Sequence, residues 1–319
     1  MALAAPQHRL TNRYVSDSPA PPATRLAVLI PFAIVTLIWG STWLVIRGQL
    51  GVVPPSWSVC YRFLVAGIAM LAYATARGER IRLDRQGLGF ATVLGVCLFC
   101  GNFNLIYRAE QYVTSGLVAV VFALLLLPNA VFGAIFLKQR LGKQLLLGSA
   151  VALAGITLLF IREARIDPHG PVQAITGIAM TLAGTLAASV GNVMQGTARA
   201  KRYPMISTIG VAMLIGSGFD AVLAFAISGP PVIDTSPAYI FGTLYLGLIA
   251  SALAFPLYFG VIRAIGPAKA AYSGVIVPVI AMALSTVFEH YHWSTLSAFG
   301  ALLALIGLVI ALMERKPAR

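Results

Sequence analysis

The stretch LGVCLFCGNFNLIY, residues 94–107, recurs in the second half of the chain as LGLIASALAFPLYF, residues 246–259. The two stretches are offset by 152 positions, and aromatic, glycine and small residues keep this offset without a gap as far as residue 155. The matched pairs are Leu94/Leu246, Gly95/Gly247, Phe103/Phe255, Leu105/Leu257, Phe136/Phe288, Gly148/Gly300, Ala152/Ala304, Leu153/Leu305 and Gly155/Gly307. A looser match at an offset of 148 adds Ser41/Ser189, Val45/Val193 and Gly48/Gly196. Self-similarity at a fixed spacing indicates an internal duplication, with a unit of about half the chain.

The composition places this duplication in a membrane. Of the 319 residues, 59% are hydrophobic and 10% are charged, and the mean hydropathy is +0.86. A soluble domain carries about 25% charged residues. Apolar runs long enough to cross about 30 Å of hydrocarbon lie at Leu26–Ile46, Trp57–Ala76, Leu88–Tyr107, Val113–Leu137, Leu145–Ile161, Ala174–Gln195, Met205–Ser228, Tyr239–Ile262, Ala270–Phe288 and Thr295–Met313. We predict an all-α membrane protein with ten transmembrane helices, five in each repeat, since no run alternates like a β-barrel strand.

The duplication divides the chain into four parts. Residues 1–24 contain several prolines and scattered polar groups but no apolar core, so we expect a disordered cytoplasmic tail rather than a signal peptide. The first five-helix repeat is assigned to residues 25–162 and the second to residues 174–314. Residues 315–319 form a second cytoplasmic tail.

The net charge of +13 raises the question of a nucleic-acid partner, and the positions of the 23 basic residues answer it. Most of them lie before helix 1, at alternate helix connections, or at the end of the chain. The opposite side carries only Arg47, Arg108, Arg162 and Arg165. Because cytoplasmic loops carry an excess of Lys and Arg, both termini are predicted to be cytoplasmic in an inner membrane. The expected partners are therefore the lipid bilayer and a small-molecule substrate, with no nucleic acid.

An odd number of crossings per repeat has a mechanical consequence. The second copy is expected to enter the membrane from the face opposite to the first, which makes the two halves inverted repeats. Inverted repeats build many secondary transporters, with the substrate site near the membrane midplane between the repeats. The alternative is a duplicated membrane scaffold or assembly protein that transports nothing.

Five short segments carry a resemblance to a known family: Trp39-Gly40-Ser41-Thr42-Trp43, Tyr61-Arg62-Phe63, and residues 109–116, 263–268 and 278–288. In this order, over residues 26–313, the chain resembles the EamA-type members of the drug/metabolite transporter superfamily. The resemblance implies a ten-helix carrier in which the first four helices of each half enclose a central cavity and the fifth is peripheral. It also implies export of amino acids or other small metabolites, or uptake of sugars. One departure is that Leu126, not Pro128, aligns with Pro278, so the two broken helices are not expected to bend alike.

Aromatic and uncharged polar residues are the candidates for a cavity wall. Trp39 and Trp43 lie in the second half of helix 1, where a tryptophan is either an interface anchor or a cavity residue. Asn104 and Asn192 belong to polar stripes on helices 3 and 6, which either line a wet cavity or join neighbouring helices. Prolines bend helices 4, 8 and 9 and free backbone carbonyls there. The candidate substrate-binding residues are Trp39, Trp43, Asn104, Asn129, Asn192, Tyr258 and Tyr272.

Three ionisable residues are expected at or near membrane depth. Arg62 lies in helix 2, one and a half turns past Trp57, at a depth of roughly 7–8 Å. It either extends to the outer surface or pairs with Asp220, the one acid in the interior of a predicted helix. The pair is either a structural lock or a substrate or proton site. Glu289 is the second candidate for proton coupling.

Other chemistries find little support. Glu289, His290 and His292 include metal-binding residue types, but histidines two apart on a helix diverge by about 200°, so an interfacial turn is the favoured interpretation. Cys97 and Cys100 are interpreted as small packing residues. No catalytic or phosphate-loop motif occurs in the sequence. We therefore predict no enzyme activity, no metal and no cofactor.

Helices 5 and 10 share a pattern of small residues. Gly148 and Ala152 in helix 5 recur as Gly300 and Ala304 in helix 10. Such ridges allow close helix packing in membranes. A homodimer through helices 5 and 10 is one arrangement that would use them.

The favoured function is a secondary transporter that exports amino acids or related small metabolites, by facilitated diffusion or proton exchange. Candidate cavity residues with few fixed charges suit a small neutral or zwitterionic solute better than a polyanion. A carrier for sugars or organic cations and a scaffold without transport are the alternatives. No residue selects a particular compound, and the direction follows from the resemblance alone.

The charge distribution predicts the topology. A reporter that is active only in the periplasm should be silent when it is fused after Arg140 or Arg202, because these residues belong to the basic side. The same reporter should be active after Asp167 or Asp234. Activity after Arg202 would overturn the assignment.

Overall fold

The computed structural model describes residues 25–139, 142–166, 171–266, 270 and 273–312. Within these ranges the chain forms helices and turns and no strand, which confirms the all-α class. The main helices are α1 (Arg25–Gly48), α2 (Pro55–Ala76), α3 (Arg85–Ala109), α4 (Ser115–Leu137), α5 (Lys143–Ile166), α6 (Pro171–Gln195), α7 (Met205–Ser228), α8 (Pro237–Ile265), α9 (Ser273–Phe288) and α10 (Thr295–Leu312). A single turn, Ala198–Lys201, lies between α6 and α7. The predicted tails at 1–24 and 315–319 and the candidate Tyr272 lie outside the described residues.

The helices have the lengths and apolar character of membrane spans. Seven of those described, α1 to α4 and α6 to α8, are long and apolar enough to cross a bilayer. Helices α5, α9 and α10 contain shorter apolar stretches. The predicted boundaries agree with the structure to within a few residues, and those of α7 are identical. The chain is therefore a membrane protein with several apolar helices.

Two of the long helices contain a wide turn that the sequence analysis did not predict. In α3 the π-helical segment is Gly95–Asn102, and in α8 it is Tyr245–Leu253. The repeat offset places the two segments at nearly equivalent positions. Gly95 packs so tightly on α7 that a Cβ atom there would lie 2.5 Å from the carbonyl oxygen of Ala212. The π segments thus accompany close helix contacts in both halves.

Helices that correspond in the two repeats pack against each other. Helix α2 packs along α7, and α5 packs along α10. A Cβ atom at Gly148 would lie 2.1 Å from the backbone nitrogen of Ala311, and one at Gly307 would lie 2.2 Å from that of Ala152. The small-residue ridges of α5 and α10 therefore meet within one chain. A homodimer through these helices stays a prediction, and it would use their other faces.

The remaining contacts are reciprocal between the halves. Helix α1 packs on α8 and α9, and its counterpart α6 packs on α3 and α4. Gly40 in α1 allows the closest of these approaches, since a Cβ atom there would lie 2.7 Å from Ile280. This arrangement leaves an internal space that is lined by α1 to α4, α6, α8 and α9.

The α5–α10 contact leads to a stability prediction. Gly155→Ala should destabilise the protein in detergent by about 1–3 kcal/mol, because the new methyl group overpacks a backbone contact. A Cβ atom at Gly155 would lie 2.4 Å from the backbone nitrogen of Ala304. Thermal unfolding of the purified protein measures the effect.

Gly218→Ala is the matched control. It makes the same change in the interior of α7 where nothing lies within 4 Å, so it should be neutral or slightly stabilising through its helix propensity. Equal stability of the two variants would contradict the tight α5–α10 contact.

Candidate functional site

The internal cavity lies between α1, α2, α3, α4, α6, α8 and α9. Aromatic and aliphatic side chains form most of its wall, together with a few polar groups. Its lining residues include Trp39, Thr42, Trp43, Ile46, Arg62, Asn102, Phe103, Ile106, Phe122, Asn192, Phe255, Tyr258 and Ser273. Four of the candidate substrate residues therefore share one space: Trp39, Trp43, Asn192 and Tyr258. Their contact with a substrate stays a prediction.

The two tryptophans of α1 belong to the cavity wall. The indole Nε1 of Trp39 donates a hydrogen bond to the carbonyl oxygen of Ala250 in the wide turn of α8, at 3.1 Å. Its ring packs edge-on against Tyr258, with centroids 4.7 Å apart. Trp43 packs on Phe122, with centroids 5.3 Å apart, and its buried Nε1 has no hydrogen-bond partner among the described residues. Trp39 thus joins the two halves, and Trp43 keeps an unused donor.

The asparagine candidates divide into two groups. Asn192 Nδ2 donates to Asn129 Oδ1 at 3.4 Å, which joins α6 to α4. Asn129 stands behind Asn192 and does not line the cavity. Asn104 does not line it either, since its Nδ2 donates to Asp220 Oδ1 at 2.6 Å and to the carbonyl oxygen of Cys100 at 3.0 Å. The polar stripe of α3 therefore joins helices at this position.

Pro128 produces the irregularity in α4 that the sequence suggests. Proline removes the backbone donor to the carbonyl four residues earlier, which is that of Leu124. The turn there is a short 3₁₀ segment, Ala123–Leu125. Residues Ala123 and Leu125 line the cavity beside Gly274 of α9. The break thus lies at the cavity wall.

The ion pair between Arg62 and Asp220, one of the two alternatives for Arg62, is not formed. Both side chains are buried, but Asp220 is held by Asn104, whereas Arg62 Nε donates to Ser251 Oγ at 3.0 Å. The reason is the orientation of α2. Ser217 of α7 donates to the carbonyl oxygen of Cys60 at 2.9 Å, and Arg62 lies two residues, or about 200°, further around that helix. The two residues were matched because their predicted depths are similar, but they do not lie on the sides of α2 and α7 that face each other.

Charged groups converge at the end of the cavity that the topology prediction places outside. Arg47 Nε lies 3.7 Å from Glu289 Oε1, and Arg47 also donates to the backbone carbonyl of Glu110. The hydroxyl and backbone nitrogen of Ser115 donate to Glu289. We call these four residues the Arg47 cluster. It joins the ends of α1, α3, α4 and α9 next to the cavity residues Ile46 and Ile106.

Glu110, like Arg47 and Ser115, was not among the candidate site residues predicted from the sequence. Its side chain is fully buried, and neither carboxylate oxygen has a hydrogen-bond partner among the described residues. Burial raises the pKa of Glu110 well above its usual range, and the charge of Glu289 raises it further, while Arg47 and Arg62 act in the opposite direction. The only sequence signal was an acid in the short connection between two apolar helices.

At the opposite end of the cavity, one side-chain hydrogen bond joins α6 and α8. Arg263 Nη2, near the end of α8, donates to Gln195 Oε1 at the end of α6, at 3.0 Å. Gln195 is the repeat counterpart of Arg47 at the offset of 148. A polar side chain at the end of the first helix of each repeat therefore makes a contact at each end of the cavity.

The residues that suggested a metal form a turn after α9. His290 has a positive φ of 53°, and the indole of Trp293 donates back to Thr286 Oγ1 at 2.8 Å. Arg162 donates to the backbone carbonyl of His292. In the part of the chain that the structure describes, no three His, Cys, Asp or Glu side chains form a cluster suited to a metal.

A family model matches the chain twice. The model described as the EamA-like transporter family matches residues 26–161 and again residues 175–313. One solved structure is similar at 22% sequence identity with a TM-score of 0.66, and the match covers 89% of this chain and 96% of that one. The structural likeness shows the fold.

Similar sequences include proteins that are named as a transporter or an efflux pump. Protein PagO of Salmonella typhimurium strain LT2 is 25% identical over 91% of this chain and 94% of its own length. The uncharacterized inner membrane transporter YedA of Escherichia coli strain K12 is 29% identical over 88% of this chain and 90% of its own. A "Probable amino-acid metabolite efflux pump" of S. typhimurium is 23% identical, covering 87% of this chain and 92% of its own.

The buried carboxylate of Glu110 gives a pH-dependent prediction. Glu110→Gln should stabilise the protein at about pH 8 by roughly 1–3 kcal/mol, since it replaces a buried ionisable carboxyl group without a partner by an amide that stays neutral. Folding raises the pKa of Glu110, so the wild-type protein loses stability as the pH rises through that folded value. The advantage of the variant should therefore shrink toward zero near pH 5, roughly the range of an unfolded glutamate. Thermal unfolding in detergent across this range measures it.

Glu79→Gln is the control for charge removal alone. The carboxylate of Glu79 already accepts a hydrogen bond from Ser207 at 3.2 Å. This variant should show no gain that grows with pH. A difference between Glu110→Gln and the wild-type protein that is the same at every pH would show that the carboxylate is not responsible.

Proposed function

The chain belongs to the EamA-like transporter family, and from this premise we propose that it exports amino acids or related small metabolites by alternating access. Its relatives are transporters rather than enzymes, and it is a transporter of their family. The observation that carries the proposal is the cavity of aromatic and polar side chains between the two matched halves. Substrate, direction and mechanism are the parts that are proposed.

We propose ten membrane crossings in two inverted repeats. The seven long helices and the three shorter ones together supply five helices for each matched half. The α2–α7 and α5–α10 pairs, the reciprocal packing of α1 and α6, and the two wide turns support a two-fold relation. An odd number of crossings in each half makes that relation an inversion across the membrane.

Alternating access would open one end of the cavity while the other stays closed. The Arg47 cluster joins four helices at one end, and the Gln195–Arg263 contact joins two at the other. Breaking either contact exposes the polar groups to water, where their hydrogen bonds are replaced at a small net cost. Contacts of this kind suit a gate better than the glycine contacts of α5 and α10, which cannot be broken without losing packing.

The wall of the cavity favours a small, largely uncharged solute. Aromatic side chains dominate, and one charged residue, Arg62, stands among the described lining residues. A ligand site of this type takes an apolar body and fixes it with a few polar groups. The name of one relative, "Probable amino-acid metabolite efflux pump", agrees with this class. An organic cation would meet the positive charge of Arg62, and a scaffold would need no cavity.

Two modes of coupling fit the proposal, facilitated diffusion and proton exchange. Asp220 is the proton candidate within a helix, and it is bonded to Asn104 away from the cavity wall. Glu289, the second candidate, belongs to the Arg47 cluster. Proton exchange through the Arg47 cluster is therefore the arrangement that places the proton next to the solute path.

Transport should be visible with purified protein in liposomes. We expect flux of amino acids with apolar side chains, tested beside sugars and organic cations, with and without a pH gradient. Gly274→Leu should abolish most of it, because Gly274 lines the cavity and the nearest atom to a Cβ there is 3.8 Å away, so the added side chain fits the backbone and fills the space.

Gly218→Leu is the matched control, since it places the same side chain on an exposed part of α7 with nothing within 4 Å. No flux of any solute class would favour the scaffold. Flux that is the same with and without a pH gradient, and that is unchanged in Asp220→Asn and Glu289→Gln, would exclude proton coupling. Equal flux in Gly274→Leu and Gly218→Leu would place the path outside the cavity.

A further inference from the structure

Arg62 has an unusual environment for a buried cation. It is 1% exposed, and it lines the cavity from α2. It is the only charged side chain among the described residues of the cavity wall. Burying a charge is costly unless the charge is paired and hydrogen-bonded. The partners of its guanidinium group therefore show whether the charge is satisfied within the protein or is available to a ligand.

Neutral groups satisfy only part of the guanidinium group. Nε donates to Ser251, the plane lies 4.4 Å from the ring centroid of Phe103, and the hydroxyl of Tyr107 lies beside it. Nη1 is buried and has no hydrogen-bond partner among the described residues. An unsatisfied buried donor is costly, and more so when it is charged.

No carboxylate of the described residues pairs with Arg62. Asp220 accepts a hydrogen bond from Asn104 through Oδ1 and forms no ion pair with Arg62. Glu110 is close enough for its pKa to respond to the charge of Arg62, but the two do not form an ion pair. The ion pair found in the described part of the chain is that of Arg47 with Glu289. Arg62 thus has a charge and a donor available on the wall of a cavity.

Two further unpartnered polar atoms belong to residues of the same wall. Trp43 Nε1 is a buried donor without an acceptor, and Asn102 Oδ1 is a buried acceptor without a donor. Buried polar groups in native proteins are nearly always hydrogen-bonded. Unpartnered atoms also occur elsewhere in the described chain, for example on Glu110 and Asp220, but those of Arg62, Trp43 and Asn102 belong to residues around one cavity, where a ligand could satisfy them. The donors outnumber the acceptor, and one donor is cationic. An excess of donors, one of which carries a positive charge, suits the binding of an anionic group.

We propose that Arg62 binds the carboxylate of the transported solute, with the apolar part of the solute against the aromatic wall. The guanidinium group presents paired donors that match a carboxylate, and charge-assisted bonds of this kind are stronger than neutral ones. This inference rests on the proposed transport function and names its substrate class, an apolar monocarboxylate such as an amino acid with an apolar side chain. Phe103 and Ser251 hold the guanidinium in place.

The proposal ranks the functional groups of the solute. The carboxylate meets a cation, whereas an ammonium group has no acid on the described wall and only neutral oxygens, such as that of Asn102, to accept from it. Loss of the carboxylate should therefore weaken binding more than loss of the amino group. A site built around an ammonium group would give the opposite order.

Three ligands that share a phenylethyl group test this order with the wild-type protein. Phenylalanine, phenethylamine and 3-phenylpropionate carry both groups, the amine alone and the carboxylate alone. Calorimetric titration in detergent should show phenethylamine binding about 10- to 100-fold more weakly than phenylalanine, the value of a charge-assisted bond. The affinity of 3-phenylpropionate should lie closer to that of phenylalanine. Equal or tighter binding of phenethylamine overturns the proposal.

Variants then assign the preference to Arg62. Arg62→Gln should bring the three affinities within a few-fold of one another, and Arg62→Lys should keep part of the preference, since it keeps the charge without the fork. Arg108→Gln is the control, because Arg108 bonds Ser56 and does not line the cavity. An unchanged preference in folded Arg62→Gln overturns the assignment. If Arg62→Gln does not fold, the affinities of the three ligands for the wild-type protein still test the proposal.

The two proposals fail in different ways. Liposome flux of another solute class, such as sugars, with no flux of amino acids would overturn the proposed substrate and with it this inference. Amino-acid flux combined with a preference for the amine would keep the transport function and overturn the role of Arg62 alone.

Discussion

A hydrocarbon environment offers no hydrogen-bond partner, and most features of this chain follow from that constraint. Backbone groups are satisfied within helices, and where the helix changes geometry, as in the wide turns at Gly95–Asn102 and Tyr245–Leu253, the segment is packed against neighbouring helices. Many buried polar side chains find a partner in the same way. Asp220 has Asn104, Asn192 has Asn129, and Trp39 has a backbone carbonyl. Other buried polar atoms have no partner among the described residues, and those of Trp43, Arg62 and Asn102 are the ones that belong to residues of the cavity wall.

The contacts within the bundle are of two kinds. The corresponding helices α5 and α10 meet through glycine, with backbones so close that one added methyl group overlaps the partner. The ends of the cavity are held by side-chain hydrogen bonds and one ion pair instead. Dispersion contacts are lost altogether when surfaces separate, whereas polar groups regain water. In the proposed transporter, the glycine contacts would therefore remain closed while the polar ends open in turn.

Hydropathy and the internal repeat were enough to predict the helices. The span of α7 and the limits of most others follow from the lengths of apolar runs, because crossing a bilayer fixes a minimum length. The side that each residue faces was harder to predict. Arg62 and Asp220 were matched by depth, but the direction of α2 is set by its contact with Ser217. Glu110 was missed because its burial depends on how four helix ends converge, which no local pattern encodes.

The two charges at membrane depth illustrate how structural and functional roles can be separated. Asp220 is bonded by Asn104 on the adjacent α3, and it is absent from the cavity wall, so helix packing accounts for it. Arg62 is equally buried and also has one unpartnered atom, but unlike Asp220 it lines the cavity. A buried charge contributes little net stability compared with an apolar residue of the same size, and it is often replaced without loss. Packing alone therefore gives no reason for a cation on this wall, whereas a solute that carries the opposite charge does.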